Sequence, residues 1–410
     1  MVSEPTVLLS LIFAVFPTMH ILVDENIPYG VEVFATLGTV QTFHGRHLSA
    51  ADLATTDALI VRSITPVNEK LLAGTPVSFV GTATIGTDHV DLAYLQQRGI
   101  GFASAPGCNA TSAAEYVISA LTVLAQQQDI DITKKTVGII GCGNVGSRVK
   151  AKLHALQVPC LIYDPPLQEY ENSHEFVDLA TVQQADILTL HVPLTNTGRY
   201  PTNNMVDRTF LSQLRDDVIL LNTSRGQVID EIALSYRLLA KPQTKIVLDV
   251  WRNEPHIQPL LLQQVALATP HIAGYSLDGK VRGTEMIYQA ICDHFQFTPK
   301  WQVRDHLPMT TVTLQFSSQF TAQQTLATAI LTSYDVRQDD AKLHLICQNP
   351  QPAVYFDNLR KHYPIRREFH SVMIQLPQSQ HELAQQFTAL GFQTTLESLP
   401  TAPDFSMITD

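Results

Sequence analysis

The sequence predicts an α/β fold: a doubly wound parallel sheet associated with a smaller α/β unit and followed by a C-terminal α+β segment. Three observations carry that expectation. Short apolar runs that read as buried strands alternate with helix-length segments from residue 20 to about residue 297. One of those runs leads directly into a glycine-rich turn, Gly141-Cys142-Gly143-Asn144-Val145-Gly146. After Phe297 the composition changes, and Thr298-Pro299-Lys300 marks a linker into a tail of three further strand candidates.

The 410 residues, 45% hydrophobic and 16% charged, suffice for two or three domains with cores of their own. A formal net charge of −11 excludes a general nucleic-acid or anionic-membrane binder, since those partners need a broad positive field. An anionic ligand must therefore meet locally clustered Arg and Lys. Cys108, Cys142, Cys160, Cys292 and Cys347 are odd in number and never spaced as a CxxC pair, which points to reduced thiols and a cytoplasmic setting. Residues 1–18 contain an apolar run from Val7 to Phe16 that is too short to span a bilayer. No Lys or Arg precedes Arg46, so the basic region of a secretory signal is missing. These residues are expected to form a disordered or loosely docked extension, with Met19 the more natural start of the fold.

Taken in order, strands are expected at 20–24, 58–62 and 77–81, separated by polar helical stretches. Over 111–128, Ala113, Ala114, Val117, Leu121 and Leu124 recur at helical spacing, which makes this helix the connector into a second domain. Strands recur at 136–140, 160–163, 187–191, 218–221 and 246–250, the rhythm of a dinucleotide-binding sheet. The tail offers strands at 311–316, 343–347 and 372–376. It holds no glycine loop or acid–base cluster, so its expected role is subunit association.

The glycine turn carries the first functional expectation. Gly141, Gly143 and Gly146 permit a tight turn, close backbone approach to a pyrophosphate and close helix packing. The helix opening at Val145 favours phosphate at its N-terminus. The next strand ends at Asp164, the spacing expected of the acid that bonds an adenosine ribose, and a carboxylate there repels a 2′-phosphate. NAD is the cofactor this predicts. Oxidising an alcohol by hydride transfer further needs a base, a cation for a carboxylate and a group that orients the base. Arg225 lies in Asn-Thr-Ser-Arg-Gly just after a buried strand, and its planar fork suits a carboxylate. Asp249 ends the next strand, Glu254 follows in Trp-Arg-Asn-Glu-Pro, and His271 stands in Thr-Pro-His-Ile-Ala-Gly. A Glu against a His favours the imidazolium and fixes which nitrogen faces the substrate.

The order GCGNVG, NTSRG, NEP and PHIAG resembles the D-isomer-specific 2-hydroxyacid dehydrogenase family over residues 20–297. Further stretches at 21–29, 61–65, 81–91, 105–109 and 271–284 narrow the resemblance. They point to the branch that oxidises a four-carbon acid phosphorylated at its far end, in pyridoxal 5′-phosphate biosynthesis. The resemblance implies a flavodoxin-like substrate (lid) domain at 19–110 and 272–298, with a dinucleotide-binding domain at 111–271 inserted in it. It also implies a dimerisation domain at 299–410, and hence a homodimer. By the same resemblance Arg225, Glu254 and His271 are catalytic; Asn144, Val145, Thr223, Ser224, Asp249 and Gly274 join the cofactor contacts; and Ser63, Thr84 and Tyr275 bind substrate.

A phosphorylated acid carries charge at both ends, so a second cation is expected away from Arg225. Arg46, Arg62, Lys280 and Arg282 are the candidates. His44 and His47 lack further ligands at metal spacing, so no metal is expected. Two other readings stay open: a dehydrogenase for glycerate or phosphoglycerate, and an NAD-sensing binding protein without catalysis. The catalytic trio argues against the second, because a sensor has no use for a proton acceptor.

Overall fold

The computed structural model describes residues 19–171, 175–302, 306–308 and 312–397, so the extension expected at 1–18 lies outside the described residues. The chain forms two compact units, Met1–Ala105 with Thr284–Gln302, and Pro106–Gly283 with Val303–Asp410.

In the first unit, five strands form a parallel sheet: β1 (Met19–Asp24), β2 (Gly38–Phe43), β3 (Ala58–Val61), β4 (Phe79–Thr82) and β5 (Gly101–Ser104). Their order is β2-β1-β3-β4-β5, the flavodoxin-like arrangement. The interior strands β3 and β4 are buried at every position, which is why they read as continuous apolar runs. The third strand was expected at 77–81 and is displaced by two residues at its start.

In the second unit, six parallel strands are ordered β11-β10-β9-β8-β6-β7. They are β6 (Val137–Ile140), β7 (Cys160–Tyr163), β8 (Ile187–Leu190), β9 (Ile219–Asn222), β10 (Lys245–Leu248) and β11 (Leu267–Ala268). From β6 the chain goes first to one side and then crosses to the other, so the order reverses between β6 and β8. Open α/β sheets bind ligands at such switch points. The helix Ala110–Gln128 is buried over most of its length and packs on the helix Asn144–Ala155. The latter buries Gly146, Val149 and Leu153 along one face and carries Lys152 in its last turn, where a positive charge suits a helix C-terminus.

The C-terminal segment forms a three-stranded parallel sheet of β12 (Val312–Gln315), β13 (Val372–Pro377) and β14 (Gln393–Glu397), joined by helices. Its helix His381–Leu390 packs on Asn144–Ala155, and Ala322–Ser333 packs on Ala110–Gln128. Phe369, Ile374, Leu376 and Phe387 share one apolar cluster with Val117, Leu121, Val149 and Leu153. The expected strand at 343–347 is not formed. The helix Arg337–His344 and a 3-10 turn, Leu345–Gln348, occupy that stretch. Leu343, Leu345 and Cys347 alternate as in a strand, but the buried pair is Leu343 and Ile346, at helical spacing, while Leu345 faces outward.

Buried charges fasten this segment to the dinucleotide unit. Arg367 Nε donates to Asp278 Oδ2 at 3.0 Å, and His370 Nε2 lies 3.2 Å from Asp278 Oδ1. The Asp278 side chain is fully buried. Burial alone would raise its carboxyl, but hydrogen bonds from His370, Arg367 and the Glu368 N–H hold it well below the usual carboxylate range. Deeper in, Glu115 lies 3.3 Å from Lys152 and accepts the Phe369 N–H at 3.1 Å. Burial pushes that carboxyl up to about 7 despite the ammonium.

Since the folded carboxyl of Asp278 titrates below its unfolded value, its stabilisation is complete above about pH 4 and is lost as pH falls through the folded value. Asp278→Asn should therefore destabilise the chain by about 3 kcal/mol at neutral pH, the lower range for breaking a buried pair. Thermal melts of both proteins check this. The gap should hold from neutral pH down to about 4 and narrow only as the pH drops further below it, and a gap that stays unchanged there would count against the ion pair.

Candidate active site

Register makes the site. Tyr163, Ile140, Leu190, Asn222, Leu248 and Ala268 stand in one row across the six-stranded sheet. The residue after each of these therefore starts the carboxyl edge: Asp164, Gly141, His191, Thr223, Asp249 and Thr269.

At the switch point Gly141 has φ +88°, a conformation that favours glycine, and a Cβ there would lie 2.9 Å from the His191 and Val192 backbone. A Cβ on Gly146 would lie 2.0 Å from the Gly141 carbonyl oxygen, so the helix can pack this closely only without a side chain. A Cβ on Gly143 would meet no other part of the chain within 4 Å. The first and third glycines serve the turn and the packing, and the second leaves the backbone open to a ligand. Asp164 accepts from the Cys142 N–H at 2.7 Å and the Leu167 N–H at 3.1 Å, which holds its carboxylate against the glycine loop. Asn144 lies beside Gly107, where a Cβ would come 2.8 Å from Asn144 Oδ1. Val145 opens the helix with it. These residues fit a dinucleotide: open backbone at a helix start, with a carboxylate fixed beside it.

Asn222 shapes the next loop. Its Oδ1 accepts from the Ser224 N–H and hydroxyl at 3.0 and 2.7 Å, and its Nδ2 donates to the Arg225 carbonyl at 2.9 Å. Arg225 Nη1 bonds the Ser224 carbonyl at 2.8 Å. A Cβ on Gly226 would lie 2.0 Å from the Trp251 carbonyl carbon, so glycine there brings the arginine loop against the strand that leads to Glu254. Thr223 Oγ1 lies 3.1 Å from His191 Nδ1, and Thr189 Oγ1 lies 2.9 Å from Nε2. Burial pulls this imidazole down to about 3, so it is neutral at physiological pH.

Asp249 holds the histidine loop. It accepts from the Thr269 hydroxyl at 2.6 Å, the Ile272 N–H at 2.7 Å and the Ala273 N–H at 2.9 Å. The His271 N–H donates to the Asp249 carbonyl at 2.7 Å. His271 itself has φ +58°, unfavourable for a residue with a Cβ, and these bonds hold it there. Its Nδ1 lies 2.7 Å from Glu254 Oε2, while Glu254 Oε1 accepts from the Trp251 N–H at 2.9 Å. Burial raises the Glu254 carboxyl, but the His271 charge and hydrogen bond, Arg360 and the Trp251 N–H outweigh it and leave it below its ordinary value. With Nδ1 bound to the carboxylate, Nε2 is the nitrogen presented outward. Gly274 follows, where a Cβ would lie 2.2 Å from Asn109 Nδ2. Lys280 Nζ sits 4.5 Å from the centre of the Tyr275 ring. Arg282 is committed elsewhere: it forms an ion pair with Glu368 and donates to the Cys108 carbonyl at 2.9 Å.

In the first unit the expected substrate residues gather on the carboxyl edge of its own sheet. Arg62 and Ser63 follow β3, Thr84 follows β4, and Arg46 follows β2. Arg62 Nε donates to the buried Asp24 at 2.9 Å, across the switch between β1 and β3. Thr84 Oγ1 lies 2.7 Å from Thr82 Oγ1, while Ser63 and Arg46 are exposed. The sequence reading missed His191, Asn109 and Arg360. His191 was legible by the rule that found Asp249, a polar residue directly after a buried strand.

A family model described as D-isomer specific 2-hydroxyacid dehydrogenase, NAD binding domain, matches residues 112–273, and a domain of unknown function matches 307–391. An erythronate-4-phosphate dehydrogenase of Marinobacter nauticus is 46% identical over 91% of this chain and 99% of its own length. One from Proteus mirabilis is 46% identical over 92% of this chain and the whole of its own. The chain belongs to the erythronate-4-phosphate dehydrogenase family. Among solved structures, the NAD+-bound 3-phosphoglycerate dehydrogenase of Entamoeba histolytica superposes with a TM-score of 0.59 at 24% identity, covering 70% of this chain and 99% of that one. A D-lactate dehydrogenase from Aquifex aeolicus with NAD and lactic acid gives 0.57 at 23%, covering 68% and 95%. The chain is thus an NAD-dependent oxidoreductase with a Rossmann-type domain. No described helix is long and apolar enough to cross a membrane.

If Asp164 is the acid that meets the adenosine ribose, Asp164→Ser should narrow the preference for NAD over NADP, because a carboxylate at that place would repel a 2′-phosphate. Catalytic efficiencies with the two cofactors measure it. An unchanged ratio would remove Asp164 from cofactor choice.

Proposed function

We propose that this chain oxidises 4-phospho-D-erythronate to 3-hydroxy-2-oxo-4-phosphobutanoate, a step serving pyridoxal 5′-phosphate formation. The observation that carries the reading is the Glu254–His271 pair at the carboxyl edge of a dinucleotide sheet, in a chain 46% identical to erythronate-4-phosphate dehydrogenases. NAD, when bound, supplies the hydride acceptor. His271 accepts the C2 hydroxyl proton at Nε2, and Glu254 holds the ring by Nδ1 and balances the imidazolium charge. Arg225 clamps the carboxylate and steadies the developing carbonyl. We assign Gly141, Gly143, Asn144, Val145, Gly146, Asp164, Thr223, Ser224, Asp249 and Gly274 to the cofactor. Ser63, Thr84 and Tyr275 go to the substrate, with Arg46, Arg62 and Lys280 as candidate cations. Arg282 is left out, because its charge is already matched by Glu368. The cysteines are all free, which supports a cytoplasmic setting.

We also read the segment 299–410 as the contact of a homodimer. Its edge strand β12 is largely exposed, and Val312 and Phe320 are uncovered large apolar side chains nearby in sequence. Light scattering should return twice the chain mass, and a monomer at working concentration would overturn this assignment.

His271→Asn should lower turnover on the order of 10²-fold or more while leaving NAD affinity close to wild type. Arg225→Lys should stay impaired although the charge is kept, since an ammonium cannot form the bidentate contact. Steady-state kinetics with 4-phospho-D-erythronate, D-glycerate and 3-phosphoglycerate test both the roles and the substrate. Near-normal turnover by His271→Asn would refute the proton acceptor. A wild-type preference for either glycerate would refute the substrate.

A further inference from the structure

The C-terminal segment sends one charged side chain to the catalytic edge. Arg360 lies in the last turn of the helix Pro352–Lys361. Phe356, four residues earlier and so on the same face, is fully buried in the cluster that contains Leu248 and Trp251, which turns this face inward. The Arg360 guanidinium carbon stands 5.7 Å from the centre of the Tyr275 ring, the ring that also carries Lys280 at 4.5 Å. Its charge is felt by Glu254, the partner of His271.

The other arginines of this region have their charges or donors answered. Arg282 pairs with Glu368, and Arg367 with Asp278. Arg366 donates to the carbonyls of Ser112 and Ala273 at 2.7 and 3.1 Å. Arg360 has the charges of Glu254 and Asp249 and the Tyr275 side chain near it. Its Nε is buried without a hydrogen-bond partner, as is that of Arg366, and among the described residues no carboxylate forms a direct ion pair with it. A buried guanidinium with no carboxylate in direct contact gains from an anion that reaches it.

We propose that Arg360 and Lys280, set around Tyr275, bind the phosphate of the substrate, so that the C-terminal segment supplies a specificity-determining residue to the active site. The inference rests on the reading of the substrate as a phosphorylated 2-hydroxy acid. A phosphate monoester carries close to two negative charges at neutral pH, which two cations match, and a guanidinium can meet two of its oxygens at once. The Tyr275 ring lies between the catalytic histidine and these cations in sequence and holds both by its face. Arg225 is then left to the carboxylate at the opposite end of the acid.

The test uses the full chain with Arg360→Met, which keeps the apolar stem and removes the charge, and Arg360→Lys as a milder change. Inorganic phosphate is the probe, as a competitive inhibitor, beside 4-phospho-D-erythronate and D-erythronate as substrates. In Arg360→Met the phosphate inhibition constant and the KM for the phosphorylated acid should rise on the order of 10- to 100-fold, and the preference over D-erythronate should fall in step. Arg360→Lys should lie between this variant and wild type. Fluorescence titration with NADH reports whether the fold has survived, and where Arg360→Met fails it, Arg360→Lys carries the test. Unchanged phosphate inhibition would overturn the proposal, as would a fall in kcat with KM unmoved, which would make Arg360 a mere support for Glu254. If wild type ignores 4-phospho-D-erythronate while phosphate inhibition still depends on Arg360, the substrate reading falls and the anion site stands.

Discussion

Parallel strands paired in register finish level with one another, and in the six-stranded sheet this one constraint decides where chemistry can occur. Because Ile140, Leu190, Asn222 and Leu248 share a row, the chain leaves the sheet at Gly141, His191, Thr223 and Asp249 side by side. Each exit serves a different requirement. Gly141 turns sharply, His191 stays neutral and holds Thr223, and Asp249 gathers three donors from the loop carrying His271. The strained histidine backbone persists because the aspartate over-determines it. Glu254 then needs only to reach the ring from the loop after β10, where the Trp251 N–H aims its carboxylate.

That geometry also explains what was legible in the sequence. The interior strands β3, β4, β6, β8, β9 and β10 were all expected, since burial on both faces writes them as apolar runs. The strands that went unseen, β2, β5, β11 and β14, are all edge strands. Residues of β2 and β14 are mostly exposed or half-exposed, so their sequences, Gly-Thr-Val-Gln-Thr-Phe and Gln-Thr-Thr-Leu-Glu, carry little pattern. The glycine turn, Asp164, Arg225 and Glu254 could be proposed because each follows a legible strand, whereas His271, which follows the unseen β11, stood out by its own Thr-Pro-His-Ile-Ala-Gly stretch. Arg282 shows the limit. Its proximity to His271 in sequence suggested a phosphate ligand, but the residue that answers its charge, Glu368, lies 86 positions away. No local pattern encodes such a pairing.

The C-terminal segment was expected to carry no chemistry, and most of its charged residues do serve attachment. Asp278, Glu368 and Glu115 are all buried, and each is met by cations or N–H groups that straddle the junction between 110–283 and 366–370. Single removals there leave a buried charge without its partner, which makes the junction specific as well as strong. A junction of that kind holds the helix Pro352–Lys361 in a fixed place, and Phe356 adds an apolar anchor. A side chain carried on such a support is positioned as firmly as one on the sheet itself. Preorganisation of this sort is what an anion site requires, because a mobile cation loses in ordering much of what it gains in contact. The buried ion pairs fix the segment, and its helix sets a second charge beside Tyr275, next to that of Lys280.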